Sequence, residues 1–458
     1  MSGTSWFECQ MNFSIVKGAR MKSRKPRAIV AMACTTALAL ALAACSGQGG
    51  STAGAQVAQN AKSTSINVAA QAWMVEKFHL NDMVKKFEGA NPGTTVNIVQ
   101  YPDNQSLANF SLQWSQGKSE QDVVVVDGSS VAVQFLAKNL ITDFNKTDFF
   151  SGPTAKDKFV GESLQYNSID GVQFALPIGL ETYNISANKK YFKQAGLTDA
   201  SGNIPNPATW DDLYAMAKKL TVKDGNSVKM PGMTIQWGPN ALSTMISVEQ
   251  AVRGSFYKAD GKTLTFDTPE MRQVLQIWKK GVDEGVFSID TFSNKDAGRS
   301  NFNAGNVPMV LETAAHVAEA IPTIGAENSQ LVAMPGSLKN GSYGFTAGVI
   351  VPTASKNQAL ALKFIKEAMM SDVQVTIGKQ WGKLPVLTSE FDKIDAGWKD
   401  QMYNLVKISK PAPMYRDLPE MQEKGKQMLQ QYLTGKIDLD KFLSGFEALV
   451  GKANLNAK

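Results

Sequence analysis

Cysteine and histidine are nearly absent from this chain of 458 residues. Its three cysteines are Cys9, Cys34 and Cys45, so no thiol follows residue 45. The rest of the chain can therefore form no disulfide, supply no thiolate nucleophile and bind no zinc through sulfur. His79 and His316 are the only histidines. Because first-row transition metals favour imidazole and thiolate ligands, we expect no metal site and no other cofactor.

A basic segment and an apolar run precede Cys45. Basic residues between Lys22 and Arg27 come before the apolar residues 28–44, which lead into Cys45 through Leu-Ala-Ala. This order is typical of an export signal. A transmembrane helix is the alternative, although it usually needs about 20 apolar residues. With cysteine at the cleavage position, the segment resembles the lipobox of bacterial lipoproteins. The resemblance implies that residues 1–44 are removed, that Cys45 is acylated, and that lipid anchors the protein outside the cytoplasm.

The signal segment also carries most of the excess positive charge. Residues 1–44 hold six of the 47 Lys and Arg residues but one of the 41 acidic residues, so the remainder is close to neutral. We therefore expect no nucleic-acid partner. Met21 directly precedes the basic residues and is an alternative start. Residues 45–64 are rich in Gly, Ala, Ser and Gln, which predicts a flexible tether.

Strand and helix patterns alternate after the tether. Residues 65–73 and 94–101 are predicted strands, separated by an amphipathic helix at residues 80–87. Residues 122–127 form a short apolar run, as expected for a strand buried on both faces. This alternation predicts a largely parallel sheet covered by helices.

Two threonines are predicted to begin long helices. Thr209, followed by Asp212, predicts a capped helix over residues 210–220. Thr268 directly precedes Pro269, a residue favoured at the first helical position. About 390 residues follow the tether, more than one core usually supports, so two domains are expected.

Several sequence blocks, taken in order, resemble the carbohydrate-binding lipoproteins of bacterial ABC importers, the family that includes maltose-binding protein. The resemblance covers nearly all of residues 65–452. Its blocks are Phe87–Val96, Phe174–Pro177, Asn188–Leu197, Pro207–Leu213, Phe302–Met309 and Ser355–Phe364. Each block also has a structural explanation as a turn, a cap or a packed face. The blocks therefore identify the scaffold and do not locate the ligand.

The resemblance implies an α/β fold of the type II periplasmic-binding-protein class, with two lobes, hinge crossings and a ligand cleft between the lobes. The first lobe would comprise residues 65–178 and 343–395. The second would comprise residues 179–340 and 396–452. The crossings would lie near residues 177–181, 336–343 and 385–390.

The same resemblance implies a monomeric solute-binding protein that delivers a sugar or oligosaccharide to an ABC transporter permease. It also implies that the protein is not an enzyme. Three alternatives stay open. The same fold can bind a phosphate ester, a polyamine, a peptide or an iron chelate. A surface-anchored glycoside hydrolase would need two carboxyl groups about 5–10 Å apart, and no acid pair occurs in a recognisable context. A structural adhesin would need no hinge.

Aromatic rings are expected in a sugar site, because they pack against the C–H faces of the ligand. Three tryptophans at strand ends or in loops are candidate stacking platforms: Trp73, Trp237 and Trp381. Three others lie on the apolar faces of predicted helices and are expected in the core: Trp114, Trp210 and Trp278.

Five polar or charged residues are candidate ligand contacts. The resemblance places Glu181, after the first crossing, against a sugar hydroxyl. Asp127 ends a buried strand, where ligands of open α/β sheets gather, although it could instead cap a helix. Glu312 lies on a predicted strand that leads to the cleft. Tyr343 lies beside the second crossing, and Arg416 lies in a loop; either could be an ordinary loop residue.

The chain departs from this family at two positions. Relatives commonly carry an aromatic residue shortly after the position of Met309, where this chain has Thr313, Ala314, Ala315 and His316. They often have tyrosine where this chain has Ala187. At least one usual stacking ring is therefore missing, and the sugar bound by any one relative cannot be assigned to this chain.

Overall fold

A computed structural model describes residues 64–103, 106–411, 413–415 and 418–452. The predicted signal segment, Cys45, the tether up to residue 63 and Arg416 lie outside these residues. Within the described ranges, no helix combines the length and the apolar composition needed to cross a bilayer.

The strands and helices alternate along most of the chain. The strands are β1 (Ser65–Ala70), β2 (Thr95–Gln100), β3 (Val123–Val126), β4 (Ser168–Ile169), β5 (Val172–Gln173), β6 (Leu176–Asn188), β7 (Val222–Asp224), β8 (Ser227–Met230), β9 (Met233–Ile235), β10 (Phe287–Ser288), β11 (Met309–Thr313), β12 (Ser329–Val332) and β13 (Gly344–Ile350). The first nine helices are α1 (Ala72–Lys77), α2 (Leu80–Ala90), α3 (Leu107–Ser115), α4 (Ser129–Leu136), α5 (Lys189–Gln194), α6 (Trp210–Leu220), α7 (Trp237–Arg253), α8 (Pro269–Asp283) and α9 (Ala297–Asn303). The later helices are α10 (His316–Glu319), α11 (Ile321–Ile324), α12 (Ser337–Asn340), α13 (Gln358–Phe364), α14 (Val373–Trp381), α15 (Thr388–Phe391), α16 (Lys399–Ile408), α17 (Leu418–Leu433) and α18 (Leu439–Val450). A π-helical turn, Ile365–Met369, continues α13.

The predicted helix starts are confirmed. The Thr209 side chain accepts a hydrogen bond from the backbone N–H of Asp212, and the Asp212 carboxylate accepts one from the backbone N–H of Thr209. The Thr268 hydroxyl oxygen likewise accepts from the backbone N–H of Met271 and caps α8. These side chains satisfy backbone donors that have no partner within the helix.

The central sheet is mixed, with the order β10-β9-β11-β6-β13-β3-β1-β2, and β12 also pairs with β6. The expectation of a largely parallel sheet is therefore wrong in its middle. Strand β1 pairs in parallel with β2 and β3, and β9 does so with β10 and β11. By contrast, β6 and β13 run antiparallel to each of their neighbours.

Strand β6 connects the two halves of the sheet. Its first residues pair with β13, the five residues 183–187 pair with β11, and residues 185–188 pair with β12. All 13 of its residues are buried, as expected for a strand covered on both faces. Side chains near its middle therefore lie between the two sets of strands.

Separate hydrophobic cores cover the two halves. The first core packs β1, β3 and β13 against helices that include α2, α13 and α14. The second packs the end of β6, β9 and β11 against α6, α7, α8, α17 and α18. Strand β3 is buried on both faces, as predicted: Val123 and Val125 join the first core, and Val124 and Val126 join a cluster on the opposite face. Helix α16 contributes Met402 to the first core, and the exact lobe boundaries stay a prediction.

The predicted core tryptophans are confirmed, since Trp114, Trp210 and Trp278 are all buried. Trp210 and Trp278 contact each other edge to face, with ring centroids 5.7 Å apart.

Candidate functional site between the two halves of the sheet

Glu181 lies near the middle of β6 and forms an ion pair with Lys383. Leu180 and Leu384 exchange two backbone hydrogen bonds of 2.8 Å in an antiparallel bridge. This bridge brings the next residues on each segment, Glu181 and Lys383, together. The Lys383 ammonium donates to Oε1 of Glu181, and the two residues are 2% and 1% exposed, respectively. Oε2 of Glu181 is buried and accepts no hydrogen bond from the described part of the chain.

Aromatic rings surround the Lys383 ammonium. Its Nζ lies 4.2 Å from the Trp381 ring centroid and 5.1 Å from that of Phe345. Both distances are within the range of cation–π attraction. The Trp381 ring contacts Trp73 edge to face at 5.9 Å. Trp73 is 36% exposed and donates its indole N–H to Gln71 at 2.8 Å. Two predicted stacking platforms are therefore adjacent to each other, and one of them, Trp381, is next to the ion pair.

Asp127 directly follows β3 and is influenced by the Lys383–Glu181 ion pair. Burial raises the pKa of its carboxyl group, the charge of Lys383 lowers it, Glu181 raises it again and Arg299 lowers it. The net direction is upward, because loss of hydration penalises the charged form most. These influences place Asp127 within electrostatic reach of the buried ion pair.

Glu312, on β11, is the centre of a second charged cluster. Its Oε1 accepts from the Asn240 amide at 2.9 Å and from the Arg299 guanidinium, and its Oε2 lies 2.7 Å from Nε2 of His316. Burial alone would raise the pKa of Glu312, but the hydrogen bond and charges of its partners hold it below the usual value. Asn240 reaches this carboxylate from a kink in α7, where its φ and ψ are −130° and 30°.

Tyr183 links the two clusters. It follows Glu181 by two residues on β6, so the two side chains share a strand face. It also pairs in register with Thr313, the residue after Glu312. Burial raises the pKa of Tyr183, and the charges of Glu312 and Glu181 raise it further. Both carboxylates therefore act on one phenol.

Two further predicted residues are packed inside the protein. Trp237 has no exposed surface; its indole packs at 5.9 Å on Phe292 and at 5.4 Å on Trp278. No face of its ring is open to a ligand in this structure, and its candidate stacking role stays a prediction. Tyr343 is buried 5.3 Å from the Tyr183 ring, and its pKa is raised by burial and by the charges of Asp127 and Glu181.

Lys383, Arg299 and Phe345 belong to the site, although the sequence did not single them out as ligand contacts of a sugar. Lys383 lies two residues after Trp381, a candidate stacking residue, and this proximity is the sequence signal that could have identified it. Its partner Glu181 is 202 residues away along the chain. The backbone bridge between Leu180 and Leu384 brings the two together, and no local sequence pattern predicts that bridge.

The site combines buried carboxylates, two cations paired to them, and aromatic rings at one edge. Such an arrangement can recognise a ligand that carries hydroxyl groups and apolar faces. Two surface cavities lie elsewhere. One of about 430 Å³ is bordered by the β7–β8 hairpin, and one of about 290 Å³ by α12 and α16; neither includes a predicted site residue.

The chain belongs to the bacterial extracellular solute-binding protein family, whose profile matches residues 82–403. A putative binding protein from Brucella abortus is 24% identical over 319 residues, covering 68% of this chain and 73% of the relative.

Solved structures share the fold. The GacH receptor of Streptomyces glaucescens, studied unliganded and with acarbose, superposes with a TM-score of 0.71 at 18% identity, covering 86% of this chain and 99% of the receptor. The sugar-binding protein MalE from Xanthomonas citri gives 0.69 at 16% identity, covering 86% and 98%. The predicted two-lobe α/β fold is thereby confirmed. The family and these structures consist of binding proteins.

Proposed function

We propose that the protein captures a carbohydrate or polyol between its two lobes and delivers it to the permease of an ABC importer. The observation that carries this proposal is Glu181, a buried carboxylate on the strand shared by both halves of the sheet. One of its oxygens is held by Lys383, and the other accepts no hydrogen bond from the described residues. A buried acceptor without a partner is costly, so a ligand hydroxyl at this oxygen would be stabilising.

The ring cluster supports the same ligand class. Trp381 and Phe345 lie beside the ion pair, and Trp73 contacts Trp381. A sugar ring there would find apolar surface beside hydrogen-bond acceptors. The fold is shared with proteins whose structures contain acarbose or maltose, and one contains D-mannitol. Those ligands define the first compounds to test.

For delivery to the permease, the lobes must close around the bound ligand. Only a ligand that contacts both halves can favour a closed form, because a population shift requires different affinities for the two states. Asp127 comes from the first half, Glu312 from the second, and Glu181 from the strand between them. We propose these three carboxyl groups, with Trp73 and Trp381, as the ligand contacts.

Thermal shift and calorimetry with a solute panel test this function. The panel contains maltose, acarbose, D-mannitol, glucose 1-phosphate, a polyamine and a short peptide. A ligand at 100 times its Kd stabilises the native state by about 2.7 kcal/mol, which raises the melting temperature visibly. Binding of a neutral sugar or polyol is the expected result. Preference for the phosphate, the polyamine or the peptide would contradict it, and turnover of a chromogenic glycoside would identify a hydrolase instead.

Lipid anchoring at Cys45 is the second part of the proposal. It rests on the basic and apolar residues before Cys45 and on the extracellular family of the folded part. Metabolic labelling with a fatty-acid analogue should modify the wild-type protein. Cys45→Ala should lose the label and move from the membrane fraction to the soluble fraction. A labelled or membrane-bound Cys45→Ala protein would contradict the anchor.

A further inference from the structure

His316 lies between two carboxylates, and both of its ring nitrogens face an acceptor. Nε2 is 2.7 Å from Oε2 of Glu312, and Nδ1 is 2.9 Å from Oε2 of Glu319. The side-chain oxygen of Asn303 is also 3.2 Å from Nδ1. A neutral imidazole has one N–H, so one of its nitrogens would present a lone pair to a carboxylate. With both carboxylates ionised, only the imidazolium satisfies both contacts.

The proton belongs on the ring because the neighbours of Glu312 favour its ionised form. Arg299 and Asn240 both donate to Oε1 of Glu312, and hydrogen bonds to the charged form stabilise that form. A protonated Glu312 beside a neutral His316 would accept from these donors more weakly than a carboxylate does. The two glutamates also raise the pKa of His316 to about 9, against the opposing effect of burial.

The cluster continues to the first half of the sheet. Glu319 accepts from the Lys77 ammonium at 2.7 Å through its other oxygen. Lys77 ends α1, the helix that also carries Trp73. The charges therefore alternate in the order Lys77, Glu319, His316, Glu312 and Arg299. The charged groups acting on the imidazole are Glu312 and Glu319, and each of these is held in turn by a cation.

We infer that His316 is a positioning residue: as an imidazolium it holds Glu312 ionised and oriented for ligand binding, and through Glu319 and Lys77 it ties that carboxylate to helix α1. The part of this inference that concerns ligand binding rests on the proposed function. The charge state of His316 can be tested without any ligand.

Nitrogen NMR of the histidine rings tests the charge state in the wild-type protein. The chain has two histidines, and His79→Gln removes the other set of signals and assigns the remainder. We expect both nitrogens of His316 to carry protons at about pH 7.5, above the ordinary histidine pKa of about 6.5. A neutral ring at that pH would overturn the inference, whatever the protein binds.

Ligand affinity of His316→Gln tests the positioning role, using the panel compound that binds the wild-type protein most tightly. Glutamine keeps a side-chain amide but lacks the charge, so affinity should fall by about tenfold at neutral pH. Without the cation, burial should raise the pKa of Glu312, so the affinity of the variant should fall further between about pH 8 and pH 5. The wild-type affinity should change less over that range, because any effect of Asp127, whose pKa burial raises, is common to both proteins.

The outcomes separate the two proposals. If the wild-type protein binds no panel compound, the proposed function fails, and the ring signals alone decide the state of His316. If His316→Gln loses affinity equally at every pH, its role is packing and the inference fails. Should that variant not fold, Lys77→Met replaces it, because the Lys77 side chain is 42% exposed and tolerates replacement. Unchanged affinity in Lys77→Met would overturn the link to α1.

Discussion

Lys383 and Glu181 form a buried ion pair across the antiparallel bridge at Leu180 and Leu384. Removing two charges from water is expensive, and their attraction offsets that cost only while both are present. The pair therefore couples stability to the candidate binding site. The family resemblance implies only that Glu181 contacts the ligand, and the buried lysine gives the same carboxylate a structural role as well.

A double-mutant cycle should reveal this coupling. Lys383→Met leaves the Glu181 carboxylate buried without its cation, and we expect the free energy of unfolding to fall by about 3–5 kcal/mol. Glu181→Gln should also destabilise, because it leaves a buried ammonium. The double variant should regain most of the loss while still binding ligand weakly. Chemical denaturation measures the first effect and calorimetry the second; strictly additive single effects would show that the pair is not coupled.

Much of the scaffold could be predicted because its signals are local. The cap at Thr209 depends on residues three positions apart, and the burial of Trp278 follows from its helical face. The site depends on long-range contacts. Lys383 reaches Glu181 only through strand pairing. The short pattern around Trp237 indicates a loop or strand end and does not show that α7 begins there, with the indole packed on Phe292.

Two tryptophans should separate binding from stability. Trp278 is fully buried against Trp210 and Trp237, so Trp278→Ala should lower the free energy of unfolding by about 3–5 kcal/mol. Trp73 is partly exposed and contacts Trp381. Trp73→Ala should cost about 1 kcal/mol of stability and weaken binding by about tenfold, as expected for a lost stacking surface. Denaturation and calorimetry on the same samples check both. A Trp73→Ala protein with full affinity would remove Trp73 from the site.

The histidine cluster should make the free energy of unfolding fall as the pH becomes alkaline. The pKa of His316 is raised from 6.5 to about 9 in the folded protein. Its contribution is therefore fully present below about pH 6.5 and is lost as the pH rises through about 9. The difference corresponds to roughly 3 kcal/mol. Urea denaturation between about pH 6 and pH 10 measures it. In His316→Gln this decline should be reduced, and an equal decline in both proteins would assign it to other groups.

Gly179, two residues before Glu181, should resist substitution for a reason that involves Lys383. Its φ is +67°, and a Cβ atom there would lie 2.9 Å from Cβ of Lys383. Gly171 also has positive φ, +80°, but a Cβ atom there would meet nothing within 4 Å. Gly171→Ala should therefore cost only the backbone strain, about 1–2 kcal/mol. Gly179→Ala should cost more and should also weaken ligand binding, because it displaces the lysine that holds Glu181. Denaturation and calorimetry compare the two variants. Equal stability losses with unchanged affinity would show that Lys383 yields to the methyl group without disturbing Glu181.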